Sequence, residues 1–100
     1  MDDKLPPAHY ANQFLIQGGV YDFILEFARL DNPREPGLPP EIVSRVQMSP
    51  QHTKIVALML LKHLAAYEHQ IGIIELPGKL LQELKLNNLQ HFISQVDLTE

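Results

Sequence analysis

Three of the five histidines, His52, His63 and His69, fall in one stretch that reads as a helix. A helical metal pair needs imidazoles three or four residues apart, so that both face one side. These are eleven and six residues apart. Glu68 adjoins His69, but neighbours on a helix point about 100° away from each other. The spacing argues against a helical metal centre. Ser44, Ser49, Asp22, Glu26 and His52 include the residue types of a nucleophile, a base and an acid. No G-x-S-x-G turn presents either serine, and Ser49 fits better as a helix cap. Gly18-Gly19 lacks the longer glycine pattern, and the following helix, of a phosphate loop. The chain has no cysteine, which removes disulfides, thiolate ligands and thiol nucleophiles. The expectation is a protein that is not an enzyme and carries no metal or cofactor.

Binding remains. Arg45 sits mid-strand beside Ser44, and its simplest role is a solvated pairing with Glu26 across a sheet. The same strand face would carry Gln13, Gln17, Asp22 and Gln47, and this makes it the candidate partner-binding face. The eight Lys and Arg are scattered against twelve Asp and Glu, for a net charge of −4. Without a basic cluster, nucleic acid is disfavoured as a partner. The aromatics Phe14, Phe23 and Phe27 read as core, because a base-stacking platform would pair exposed rings with basic residues.

The elements that position these residues follow from periodicity. Residues 1–8 read as a flexible N-terminal arm. From His9 the pattern alternates: Tyr10, Asn12, Phe14 and Ile16 share one strand face. Gly18-Gly19 supplies a hairpin turn with two residues free to take positive φ. A second run places Tyr21, Phe23, Leu25 and Phe27 on one aromatic face, with Asp22, Ile24, Glu26 and Ala28 on the other. Residues 31–40, DNPREPGLPP, read as a proline-stiffened loop. Glu41–Met48 is a third strand, with Ile42, Ser44, Val46 and Met48 facing away from Val43, Arg45 and Gln47.

Ser49-Pro50 marks a helix start, with serine capping and proline at the first helical position. The helix should run from Pro50 to about Gln70 and stop at Gly72. It is apolar on more sides than a three-stranded sheet covers. Val56, Leu60, Leu64, Tyr67 and Ile71 make one face. Ile55, Met59 and Lys62, widened by Leu58, Leu61 and Ala65, make another. A surface helix needs one apolar stripe. The second is economically buried by the same helix of another copy across a two-fold axis. The expected oligomer interface is therefore Ile55, Leu58, Met59, Leu61, Lys62 and Ala65. Beyond the helix, Pro77 starts a short helix with Leu80, Leu81 and Leu84, broken by Asn87-Asn88. Leu89, Phe92, Ile93 and Val96 fit a last turn or two, which would fold back over a sheet edge or swap between subunits.

The fold class is thus α+β: a three-stranded antiparallel meander, open to a fourth strand at 73–76 or in the C-terminal arm, then a long helix packed on it and a short helical segment. Residues 9–72 form the core domain and 73–100 a C-terminal helical arm. At 100 residues and 45% hydrophobic content, the chain suits one domain with a modest core. The acidic N-terminus has no apolar signal core, and the longest apolar run, Ile55–Leu61, is far short of the roughly 20 residues that span a bilayer. A cytoplasmic protein with no membrane partner is expected.

The pieces Tyr10-Ala11-Asn12, Phe23, Leu25 and Phe27, Ser44-Arg45-Val46, Met48-Ser49-Pro50-Gln51-His52 with Lys54, and Tyr67-Glu68 resemble a family of short prokaryotic proteins known only as a domain of unknown function. The SRV-x-MSPQH-x-K block is the most specific. This chain departs from the family pattern in having Gly18-Gly19 for a Ser-Pro pair, Thr53 for Ala and His63 for Asn. The resemblance implies an architecture and no activity. In order of elements alone, the chain is similar to SecB-type export chaperones. The reading that follows is a small oligomeric protein-binding or adaptor protein, possessing a chaperone-like layout. The alternative is a dimeric nucleic-acid-associated regulator.

Overall fold

The computed structural model describes residues 4–31, 37 and 39–98. Residues 32–36 and 38 of the expected loop, and 1–3 of the expected arm, lie outside them. The elements run β1 (Gln13–Gly18), β2 (Phe23–Arg29), β3 (Glu41–Met48), α1 (Pro50–Gln70) and α2 (Gly78–Leu84), then a 3-10 segment at Gln90–Gln95. The fold is α+β. Two compact units divide the chain, residues 1–53 and 54–100.

The first unit is an antiparallel meander in the order β1-β2-β3. Among the described residues it has three strands, and 73–76 add none. β1 and β2 pair from Gln13↔Ala28 to Gly18↔Phe23. β2 and β3 pair from Phe23↔Met48 to Arg29↔Glu41. Period-two patterning accounts for the result. Phe14, Ile16, Phe23, Leu25, Phe27, Val46 and Met48 share one face. Phe14 and Phe27 stand opposite each other with ring centroids 5.2 Å apart, a tilted contact worth about 1 kcal/mol beyond its area.

That aromatic face is not the closed core its composition suggests. Leu25 is buried, Phe23 and Phe27 are half-buried, and Phe14 is exposed. A single sheet layer cannot bury a face by itself. Only the central strand, flanked on both sides, gains real burial, and Leu25 and Ala28 hold it.

Three local expectations are corrected. Tyr10–Asn12 precede β1, and Tyr21 and Asp22 lie in the turn, not in β2. The turn is the four residues Gly19–Asp22, closed by the Gly19 N–H donating to Asp22 O at 2.9 Å. Neither Gly18 nor Gly19 uses positive φ. Gly18 instead meets the Phe23 ring, which lies over it: a Cβ there would sit 3.2 Å from the ring edge, so the ring would have to shift by a few tenths of an ångström. Finally, Phe27 pairs with Ser44 but Ala28 with Ile42, so a bulge leaves Val43 unmatched. The bulge shifts Ile42 off the Val46 face and onto the face of Arg45 and Gln47.

α1 starts where Ser49-Pro50 predicts. The Ser49 hydroxyl accepts from the His52 N–H at 3.1 Å, and its carbonyl accepts from the Thr53 N–H and hydroxyl at 2.9 and 2.8 Å. At the other end Ile71 N–H still reaches Tyr67 O, and Gly72 takes φ 156°, which a side chain would strain. In the second unit, the Glu68 carboxylate accepts from the Ile74 N–H at 3.0 Å and ties down the chain leaving the helix. α2 ends at Lys85, two residues before the expected Asn87-Asn88 break. Lys85 takes the left-handed conformation, and it and Leu86 donate back to Gln82 O and Leu81 O. Ala65 of α1 and Leu81 of α2 are the buried residues of this unit.

Candidate binding surfaces

Register brings the polar strand residues together. Directly paired residues share a face, so one face of the sheet reads in rows: Gln17, Ile24 and Gln47; then Leu15, Glu26 and Arg45; then Gln13, Ala28 and Ile42. Five of the six residues expected on the partner-binding face, Gln13, Gln17, Glu26, Arg45 and Gln47, are on it. Asp22 is not, because it belongs to the turn. The Arg45 Nε donates to Glu26 Oε2 at 2.8 Å, the cross-strand pairing the alternation predicts. Glu26 keeps 16% of its side-chain area exposed and Arg45 57%. The pair is therefore a screened surface contact worth under about 1 kcal/mol. It leaves part of the guanidinium open beside a shallow hollow formed with Ile24 and Gln47. Ile42, delivered here by the bulge, adds an exposed apolar edge that strict alternation hides.

The helix is the second candidate. At 100° per residue, Ile55, Leu58, Met59 and Lys62 fall on one stripe, and all are exposed, the three apolar ones by 51%, 55% and 57%. Leu60, Leu64 and Tyr67 form an exposed apolar stripe on another side. Leu61 is half-buried and Ala65 is buried. Ala65 lines a cleft within the second unit with Glu68, Ile93 and Val96. Of the six expected interface residues, four are thus presented together, and Leu61 and Ala65 are not exposed with them. A wider cleft of 760 Å³ lies beside Met59, Lys62, His63 and His69. The two histidines border the same hollow despite their six-residue spacing. Among the described residues no group of three His, Asp or Glu side chains is placed to hold a metal ion. No described helix is long and apolar enough to cross a membrane.

The SRV-x-MSPQH-x-K block thus holds the second half of the third strand, the arginine of its ion pair and the helix cap. Residues 2–76, which include this block, match a family model. The chain belongs to DUF3467, a family of proteins of unknown function. No curated protein and no solved structure matches the chain significantly.

Two features inside the DUF3467 match escape periodicity. Asn12 accepts from the Leu30 N–H through Oδ1 at 2.8 Å and donates from Nδ2 to Leu30 O at 3.1 Å. Its side chain thereby stands in for a strand residue at the open end of the hairpin, and its own N–H bonds Ala28 O. Glu68 acts similarly at the end of α1. Both partners lie across a turn, so they become visible only once the register is known.

Proposed function

We propose that this DUF3467 member is a small homo-oligomeric protein-binding or adaptor protein of the cytoplasm, without catalytic activity or cofactor. The observation that carries the reading is the exposed stripe of Ile55, Leu58 and Met59 on α1. Each of these residues leaves more than half its area in water, and burying apolar surface favours association against the freedom lost on binding. Another copy of the helix covers such a stripe symmetrically. The mixed sheet face, with Arg45, Gln47 and Gln17 around Ile24, then meets a different protein. In order of elements the chain is similar to SecB-type chaperones, and on that resemblance its clients are apolar polypeptide segments.

A second reading has one observation behind it. Gln13, Gln17, Arg45 and Gln47 share a sheet face, as the reading residues of β-ribbon DNA-binding proteins do. The net charge of −4 weighs against it. Recovery of the tagged protein from its native lysate, with and without nuclease, separates the two. The expected result is a discrete set of proteins that survives nuclease. Recovery that collapses with nuclease overturns the protein-binding reading in favour of the second.

A further inference from the structure

The sheet has two edges, and they differ. β3 carries Glu41 and Arg45 and is interrupted by the bulge at Val43. Charges and bulges are the usual guards against strand addition. β1, Gln13–Gly18, has no charge, no proline and no bulge along its paired length, and all six residues are exposed. The Gly19–Asp22 bond sets the phase of the ladder. Paired residues alternate along an antiparallel ladder between hydrogen-bonded and non-bonded pairs. Gln13, Leu15 and Gln17 therefore turn their backbone groups towards β2. Phe14, Ile16 and Gly18 turn theirs outward, where β1 has no neighbouring strand among the described residues.

The strand is also close to a palindrome. Read in either direction about Leu15, Gln13-Phe14-Leu15-Ile16-Gln17 runs glutamine, large apolar, leucine, large apolar, glutamine. A two-fold interface places each residue against its symmetry counterpart, so a palindromic edge is complementary to itself.

We infer that β1 is a self-association edge, which pairs antiparallel with β1 of a second copy about Leu15 to make one continuous sheet. In this register Phe14 of each copy faces Ile16 of the other. Both pairs use the outward backbone groups and exchange both hydrogen bonds. Leu15 faces its own counterpart in a non-hydrogen-bonded pair, and the Gln13 and Gln17 amides meet on the opposite face from the rings. Phe14 and Ile16, half exposed in a single sheet, join the same residues of the partner, and the aromatic face becomes continuous across the two-fold. This contact is distinct from the α1 stripe and does not require it.

The absence of cysteine makes the test direct. Opposed Cβ atoms in such a pair lie about 4.5–5.5 Å apart, close enough for a disulfide after a small adjustment. The intact chain carrying Leu15→Cys should oxidise to a covalent dimer at least about tenfold faster than one carrying Val20→Cys, since a held pair reacts at millimolar effective concentration. Val20 is the control because it is 83% exposed in the turn, outside the strand. Adding Ile16→Pro to Leu15→Cys should abolish this advantage with the circular dichroism spectrum unchanged. Proline there removes an outward N–H and leaves the β1–β2 bonds intact. Equal rates for the two cysteine variants would overturn the inference. So would fast cross-linking that survives Ile16→Pro in a folded chain. Neither readout involves Leu58, so failure of the helix interface is seen separately.

Discussion

Asn12 closes the open end of the first hairpin with a single side chain. Its amide both donates to and accepts from the backbone of Leu30, two bonds to groups that would otherwise be left to water. Because the site is exposed, water partly replaces what is lost on truncation. Asn12→Ala should therefore cost about 1–2 kcal/mol, as a lower midpoint in urea unfolding. Little of this was legible beforehand. Asn12 alternates correctly with Phe14 and reads as one more strand residue, and nothing in its neighbours points to Leu30. Arg45 and Glu26 were legible, because alternation and opposite charge on adjacent strands leave few other partners. Ile42 was not, since one unmatched residue at Val43 changes the face of everything beyond it.

At the scale of elements, the same contrast follows from how local each signal is. β3 and α1 meet at Met48-Ser49-Pro50, where capping chemistry and proline geometry both act within four residues, and their boundaries follow the sequence. Ser49 makes one of its bonds to this helix through its hydroxyl. Ser49→Ala should cost about 1 kcal/mol, and a thermal melt should fall by roughly 4–8 °C for a chain of this size. An unchanged melt would mean that Pro50 and the Ser49 carbonyl alone start the helix. The first turn and the end of α2 were misread for a common reason. Gly18-Gly19 and Asn87-Asn88 are strong left-handed candidates, but neither pair uses positive φ, and α2 ends on a left-handed Lys85 instead. At Gly18 the feature that bears on the residue is the Phe23 ring, a cross-strand neighbour that a Cβ would crowd.

On the scale of the whole molecule, burial is scarce. Among the described residues, the buried apolar side chains are Leu25, Ala28, Ala65 and Leu81. A chain this short has little core to spare, and association is a common source of the missing burial. The over-apolar character of α1 was readable from composition, but which side chains stay exposed was not. Leu61 is half-buried and Ala65 buried, while Leu58 and Met59 are exposed. Leu58→Asp is consequently a better probe of the helix interface than Leu61→Asp, because Leu61 is already half-buried in the single chain. Sedimentation equilibrium of the intact chain and of Leu58→Asp, over a wide concentration range, tests the central claim most directly. The account predicts at least twice the chain mass for the native protein and a lower mass for the variant, both with the same helical circular dichroism. A native protein that stays at the mass of one chain at every concentration would contradict it.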